Sequence, residues 1–255
     1  MSLRALLWDV DGTLAETERD GHRVAFNRAF EALGLPWRWS EARYGELLAV
    51  TGGRERLLAD MATRPDAPSS TAGRDVLARV LHRRKNLAYA ACVAQGAIRL
   101  RAGVVTLIEE AADRGLLQGI ATTTSRDNVQ ALLGHTLGPG WPRTFGAVVC
   151  GEDVAVKKPD PAVYTVALAR LGIAAPEALA LEDSPAGVAA ARAAGVPVIV
   201  TRSAYFASGN LPGASAVGPG LHTRQGWLPA AAGGADGVVT LSDLAAWHAA
   251  AQTPR

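Results

Sequence analysis

The chain opens on an apolar run, Leu3 to Trp8, that stops at two acids one residue apart, Asp9 and Asp11, followed by Gly12 and Thr13. The run predicts a buried strand. Alternation along an extended chain turns Asp9 and Asp11 to the same side, and Gly12 lets the backbone swing away after them. From Glu16 to Leu33 the period becomes helical, with Val24, Ala25, Phe26, Ala29, Phe30 and Leu33 on one apolar face. Gly34 ends it, and Pro36 prevents continuation. Glu41 to Val50 and Arg54 to Met61 predict two further helices on either side of Thr51-Gly52-Gly53. The Pro/Ser/Thr-rich stretch Thr63 to Gly73 reads as a loop, and a longer helix runs from Asp75 to about Gln95. Four helices with no strand among them form a compact helical insert.

Past Gly96 the rhythm changes to short apolar strands alternating with helices. Helix 103–114 stops at Gly115 and leads to strand 116–122; helix 127–134 leads to strand 147–150. Helix 160–171, with Pro161 in its first turn, leads to strand 178–181, and helix 186–194 to strand 196–200. This alternation predicts an α/β fold, a doubly wound, Rossmann-like parallel sheet with helices on both faces. Pro197 marks its strand as an edge or as a strand start. Residues 203–235 have no clear period, and a short strand at 237–240 and a helix at 242–251 close the chain. The first strand therefore belongs to a sheet whose other strands lie beyond the insert. Residues 1–15 and 97–255 make a core domain, residues 16–96 a helical one, with crossings near 15 and 97 and a cleft between them.

Composition narrows the function classes. A chain of 255 residues, 49% apolar and 20% charged, can bury a sizeable core. A net charge of +2 points to neither nucleic acid nor a membrane surface as partner. Cys92 and Cys150 lack a metal-type spacing and read as reduced core residues of a cytoplasmic protein. No apolar run reaches transmembrane length, and with a strand beginning at Leu3 neither a signal nor a transit peptide is expected.

Four strand ends carry polar groups: Asp9 and Asp11; Thr122-Thr123-Thr124-Ser125; Val156-Lys157-Lys158-Pro159; and Glu182-Asp183-Ser184. In a parallel sheet these ends converge on one edge, where such folds bind ligands. Two like charges held that close call for a cation, a shared proton, or both. Carboxylates, a hydroxyl and an ammonium together suit phosphoryl transfer at a metal site. Mg²⁺ takes oxygen ligands, and Asp9, Asp183 and the backbone carbonyl of Asp11 can supply three. Metal and ammonium then offset the charge of a phosphate dianion. Blander readings stand beside these: an Asp-rich turn at 9–12, strand-end caps at Thr123 and Thr124, and a helix N-cap at Ser184. Lys157 competes with Lys158, and Glu182 either ligates the metal or supports a ligand.

The four sites, in this order, resemble the haloacid dehalogenase superfamily along the whole chain. Asp9-Val10-Asp11-Gly12-Thr13 matches its first motif, Thr122 the second, Lys158-Pro159 the third and Glu182-Asp183 the fourth. The resemblance implies that Asp9 is the nucleophile that forms an aspartyl-phosphate. It implies that Asp11 protonates the leaving oxygen and then activates water, a division that fits covalent and acid–base catalysis by carboxylates. It favours Lys158, adjacent to Pro159, over Lys157. A second acid argues against a dehalogenase, which has no leaving alcohol to protonate.

The insert then resembles the helical cap of that superfamily, which closes over the site and selects the substrate. In Thr51-Gly52-Gly53-Arg54-Glu55 the glycines allow close backbone approach. The new helix N-terminus favours an anion, and Arg54 can grip it bidentately; a plain helix–turn–helix accounts for the glycines as well. His82, Lys85 and Tyr89 share one helix face, a substrate-facing row or a solvated stripe. Glu18 and His22, four apart, are placed to reach sugar hydroxyls.

Residues Glu16 to Asn27, Thr51 to Glu55 and Ala121 to Ser125 narrow the resemblance to CbbY-type proteins, relatives of β-phosphoglucomutase. That resemblance implies a Mg²⁺-dependent phosphatase that removes the 1-phosphate of xylulose-1,5-bisphosphate, an inhibitory by-product of Rubisco in the Calvin cycle, to yield xylulose 5-phosphate. One phosphate would meet Asp9 and the other the cap, at Arg54. The expected partner is this small sugar bisphosphate, with the protein a monomer or weak oligomer. The rivals are a sugar phosphomutase using the same aspartyl-phosphate and, from another class, a non-enzymatic phospho-receiver. The usual receiver domain is far shorter and lacks a helical insert.

Overall fold

The computed structural model describes residues 2–252. The strands are β1 (Ala5–Trp8), β2 (Leu117–Ala121), β3 (Ala147–Val149), β4 (Ala178–Glu182), β5 (Val198–Thr201) and β6 (Ala216–Gly218). They form one six-stranded sheet in the order β3-β2-β1-β4-β5-β6, with every pairing parallel. The helices are α1 (Arg23–Ala32), α2 (Glu41–Leu47), α3 (Gly53–Met61), α4 (Thr71–Ala94), α5 (Val104–Asp113), α6 (Arg126–Thr136), α7 (Ala162–Leu171), α8 (Pro185–Ala193) and α9 (Leu241–Ala251). This is the α/β, Rossmann-like architecture that the alternation predicts. β1 lies between β2 and β4, where the strand order reverses, so its carboxyl end opens onto the crevice such sheets use for ligands.

β1 is buried along its whole length, as strands covered on both faces are. Its side chains alternate between two cores. Leu6 and Trp8 pack with α5, α6 and α9 residues such as Leu107, Leu132 and Trp247, and also with Ala25 and Tyr89 from the insert. Ala5 and Leu7 pack on the opposite face with α7 and α8 residues such as Val163, Tyr164 and Val188. The insert has its own aromatic core of Phe26, Phe30, Trp37, Trp39 and Tyr44. There Asp60 accepts from Trp39 Nε1 at 2.8 Å, Arg43 Nη2 at 2.8 Å and Arg64 Nε at 2.6 Å.

Three elements differ from expectation. The sixth strand is Ala216–Gly218, inside the stretch without a period, and not 237–240. Ala216–Gly218 already fills the free edge of β5, so Val239 is buried with its N–H on the Leu221 carbonyl but makes no ladder. The first helix of the insert is not continuous: Glu18–His22 is a π-helical turn that leads into α1. Such wide turns occur at functional sites, and this one carries His22 to Asp11. α4 begins at Thr71 because Ser70 caps it, its Oγ accepting from Gly73 N at 3.1 Å. Pro197 precedes β5, an interior strand, so it marks a strand start; its carbonyl accepts from Ala180 N at 2.8 Å.

The two crossings into the insert are paired. Ala15 and Leu100 form an antiparallel bridge, and Arg101 N donates to the Leu14 carbonyl at 2.8 Å. The Arg101 guanidinium donates to the carbonyls of Gly12, Thr201 (3.2 Å), Arg202 (2.6 Å) and Pro219 (3.1 Å). Cys92 and Cys150 are buried and free. Among the described residues no helix is long and apolar enough to cross a membrane.

Candidate active site

Asp9 follows β1 directly and continues its ladder through Asp9 N to the Leu181 carbonyl at 3.0 Å. Lys158, 3% exposed, donates from Nζ to Asp9 Oδ1 at 2.7 Å, Glu182 Oε1 at 2.6 Å and the Ala121 carbonyl at 2.8 Å. Tyr164 OH donates to the same Glu182 oxygen. Three strand ends are thereby tied to one ammonium. Burial pulls the Lys158 ammonium down, but Asp9 and Glu182 outweigh it and hold its pKa well above the ordinary lysine value. Burial, with the charges of Glu182 and Asp11, pushes Asp9 up to about 8 against the pull of Lys158.

Asp9, Glu182 and Asp183 each offer an oxygen within 4.8 Å of the others. Asp183 is lifted well above the carboxylate range by burial and by Asp9 and Glu182. Three buried carboxylates facing one ammonium leave negative charge unmatched, and the all-oxygen set fits Mg²⁺. Asp9 and Asp183 are the natural ligands, since Glu182 Oε1 is already shared by Lys158 and Tyr164. Ser203 Oγ donates to Asp183 Oδ2 at 2.6 Å. Gly12, at φ 82°, brings its backbone against that carboxylate: a Cβ there would lie 2.0 Å from Asp183 Oδ2.

Asp11 turns toward the insert. Its Oδ1 accepts from Thr17 Oγ1 at 2.5 Å and meets His22 Nε2 at 2.9 Å. Burial raises the Asp11 carboxyl, but the His22 ring and the Thr17 hydroxyl outweigh it and hold it well below the usual range. His22 is buried and stacks on Tyr89 at 4.3 Å. Glu18 accepts from Tyr44 OH, which also accepts from Arg56 Nη1 at 2.7 Å. Glu18 and His22 thus both line the cleft, held there by Tyr44 and Asp11, while His22 Nδ1 has no partner among the described residues.

Two adjoining chambers share Asp11, Glu18, Arg56 and Thr123. One, of about 400 Å³, holds Asp9, Lys158 and Asp183. The other, of about 260 Å³, reaches Gly52, Gly53, Arg54, His82, Lys85 and Lys157. Burial and its cationic neighbours Lys85, His22, Arg54 and Lys157 push His82 down to about 4. Burial brings Lys85 down to about 8 against the pull of Asp11 and Glu18. Lys85 and Tyr89 are buried, so the His82–Lys85–Tyr89 face points inward and the solvated-stripe reading is overturned. Gly52, at φ 92°, caps α3, and Arg54 in its first turn pairs with Asp75. Glu55 and Glu152 stand at the same end, so the chamber is mixed in sign.

The remaining expectations resolve by position. Lys157 Nζ donates to the Gly151 carbonyl and Lys158 meets Asp9. Thr122 is buried at the end of β2, its Oγ1 accepting from Thr124 N at 3.2 Å, while Thr123 lines both chambers. Ser184 caps α8, its Oγ accepting from Gly187 N at 3.1 Å. Several residues here escaped the sequence reading: Thr17, Arg56, Tyr164 and Ser203. Arg56 carried a signal, two residues past Arg54 and lining the same chamber; Ser203 carried none.

Residues 3–195 match the family described as haloacid dehalogenase-like hydrolase. The CbbY protein of Cupriavidus necator is 42% identical, covering 96% of this chain and 97% of its own length. The crystal structure of CbbY from Rhodobacter sphaeroides in complex with phosphate superposes with a TM-score of 0.77 at 40% identity, over 83% of this chain and 92% of that one. A mutant of the same protein in complex with xylulose-(1,5)bisphosphate gives a TM-score of 0.78 at 40% identity over the same shares. The chain belongs to the haloacid dehalogenase-like hydrolases, in their CbbY-type branch. It is an enzyme, a phosphoric monoester hydrolase.

Proposed function

We propose that this phosphatase removes the 1-phosphate of xylulose-1,5-bisphosphate through an aspartyl-phosphate on Asp9 with Mg²⁺ bound, and that residues 16–96 are a cap over a core of 1–15 and 97–255. The observation that carries this reading is the pair of adjoining chambers. One end holds Asp9, Lys158 and Asp183; the other gathers Arg54, His82 and Lys85 from the insert with Lys157 from the core. A substrate charged at both ends matches such a cleft. The CbbY relative whose crystal structure holds that bisphosphate supports the choice of sugar.

Lys158 holds one Asp9 oxygen, leaving Oδ2 to attack phosphorus as the bond to the C1 oxygen breaks. Asp11, ionised at rest, relays to that leaving oxygen the proton it shares with His22 in their hydrogen bond. It then takes one from water attacking the acyl phosphate, which returns free Asp9 and inorganic phosphate. Mg²⁺, when held by Asp9 and Asp183, supplies charge compensation for the phosphoryl oxygens. His22 and Thr17 keep Asp11 oriented between steps, and Thr122 and Thr123 face the reacting phosphate from β2. Gly52, Gly53, Arg54, His82 and Lys85 hold the far phosphate; Glu18 meets the sugar.

Release of phosphate from xylulose-1,5-bisphosphate, measured beside isomerisation of β-glucose 1-phosphate, tests the reading. Turnover of the bisphosphate alone is expected. Isomerisation without net phosphate release would replace the phosphatase with a sugar phosphomutase.

A further inference from the structure

Beyond residue 195, where the match to the hydrolase family ends, the chain crosses from the core to the insert. Residues 202–209 form a short projection that is fixed at its base. Arg101 donates to the carbonyls of Thr201 and Arg202 at 3.2 and 2.6 Å, and Ser203 Oγ donates to Asp183 at 2.6 Å. The Arg202 guanidinium folds the projection back by donating to the carbonyls of Phe206 at 3.2 Å and Gly209 at 3.0 Å. The tip reaches the insert. The Tyr205 ring lies 5.8 Å from the Tyr44 ring, and Tyr205 and Phe206 both pack against the insert's aromatic core. Ala204 N donates to Glu16 Oε2 at 3.3 Å, and Phe206 lines the chamber that holds Asp9.

Gly45 is an independent sign of this contact. Glycine inside a helix costs about 1 kcal/mol relative to alanine, and the Gly45 backbone is not in the left-handed region. A Cβ at Gly45 would lie 3.2 and 3.3 Å from two ring carbons of Tyr205. The missing methyl group is what lets the ring lie against α2.

We propose that residues 202–209 are an aromatic latch: a core-anchored segment whose Tyr205 and Phe206 clasp α2 and hold the insert shut over Asp9. Ser203, in the same segment, ties the clasp to Asp183. The latch favours the closed cleft before any ligand binds. A substrate gripped at both ends then meets preassembled walls, whereas a small monoester that touches only the Asp9 end gains little from them.

The proposal rests on the reading of residues 16–96 as a cap, and hydrogen exchange on the ligand-free protein separates it from the choice of sugar. In Tyr205→Ala, amides of α2 exchange about tenfold faster or more, with those of β1 and α9 unchanged. Gly45→Ala gives a smaller increase in the same direction, although alanine is the better helix former. Turnover supplies the second readout. In Tyr205→Ala, kcat/KM for xylulose-1,5-bisphosphate falls on the order of tenfold while p-nitrophenyl phosphate hydrolysis stays within about twofold. Unchanged α2 exchange in Tyr205→Ala overturns the latch, as does an equal loss on both substrates. A wild-type protein that hydrolyses p-nitrophenyl phosphate but not the bisphosphate removes the sugar assignment, and α2 exchange then decides the latch alone.

Discussion

Lys158 Nζ donates to Asp9 Oδ1 at 2.7 Å across 149 residues of sequence, while the same ammonium holds Glu182 at 2.6 Å. One buried cation therefore serves two buried carboxylates. Removing one member of such a group leaves charge without a partner, which costs about 3–5 kcal/mol. Lys158→Met is expected to lower Tm by many degrees and to abolish turnover. Adding Glu182→Gln to that variant recovers part of the Tm and none of the activity, measured by calorimetry and phosphate release.

Asp9→Asn keeps the size of the side chain and the hydrogen-bonded frame but removes the attacking carboxylate. A folded protein with kcat lowered on the order of 10⁴-fold or more is expected. Turnover near wild type would end the nucleophile assignment.

Asp183 carries no cation of its own among the described residues, only the Ser203 hydroxyl. EDTA is expected to stop phosphate release and Mg²⁺ to restore it. Mg²⁺ also raises the Tm of the wild type, and does so less in Asp183→Asn. A Tm that ignores Mg²⁺ in both proteins would argue against a metal at these carboxylates.

Arg54 sits at the far end of the cleft with its guanidinium paired to Asp75. Arg54→Ala is expected to raise KM for a sugar bisphosphate on the order of tenfold or more, with a far smaller effect on a monophosphate. Steady-state kinetics on the two substrates compares them directly; equal effects would remove the distal-phosphate role.

Asp60 gives a pH prediction away from the chemistry. Burial raises its pKa, but hydrogen bonds from Arg43, Arg64 and Trp39 outweigh burial and hold it below the ordinary value of 3.8. A depressed carboxyl stabilises the fold above its unfolded pKa and loses that contribution as pH falls through the folded one. Asp60→Asn therefore costs about 3 kcal/mol near neutral pH, and its Tm gap to the wild type closes as pH drops below 3.8. A gap independent of pH would show that the carboxylate charge is not what matters there.

The strand ends were legible because a parallel sheet collects them on one edge whatever the loops do. Asp9, Lys158 and Asp183 needed only their order after successive strands. β6 was not legible: Ala216–Gly218 has no apolar run, and its place depends on the free edge of β5, a tertiary fact. Val238 and Val239 looked more like a strand but had no edge to join. Arg54 stood out beside the two glycines, whereas Arg56 lines the same chamber but is buried through its tie to Tyr44, a partner 12 residues away that no spacing announces. Ser203 and Tyr205 lie in a stretch without a period, and their partners, Asp183 and Tyr44, are 20 residues away and in another layer respectively.

The bridge between Ala15 and Leu100 means that the chain leaves the sheet and returns to it at a single point. Everything between those residues is a side loop on an otherwise continuous frame. The strand registers and the ties among Asp9, Lys158 and Glu182 all lie outside that loop. On the proposed function, the loop carries most of the residues that choose the substrate, and the frame those that carry out the phosphoryl chemistry.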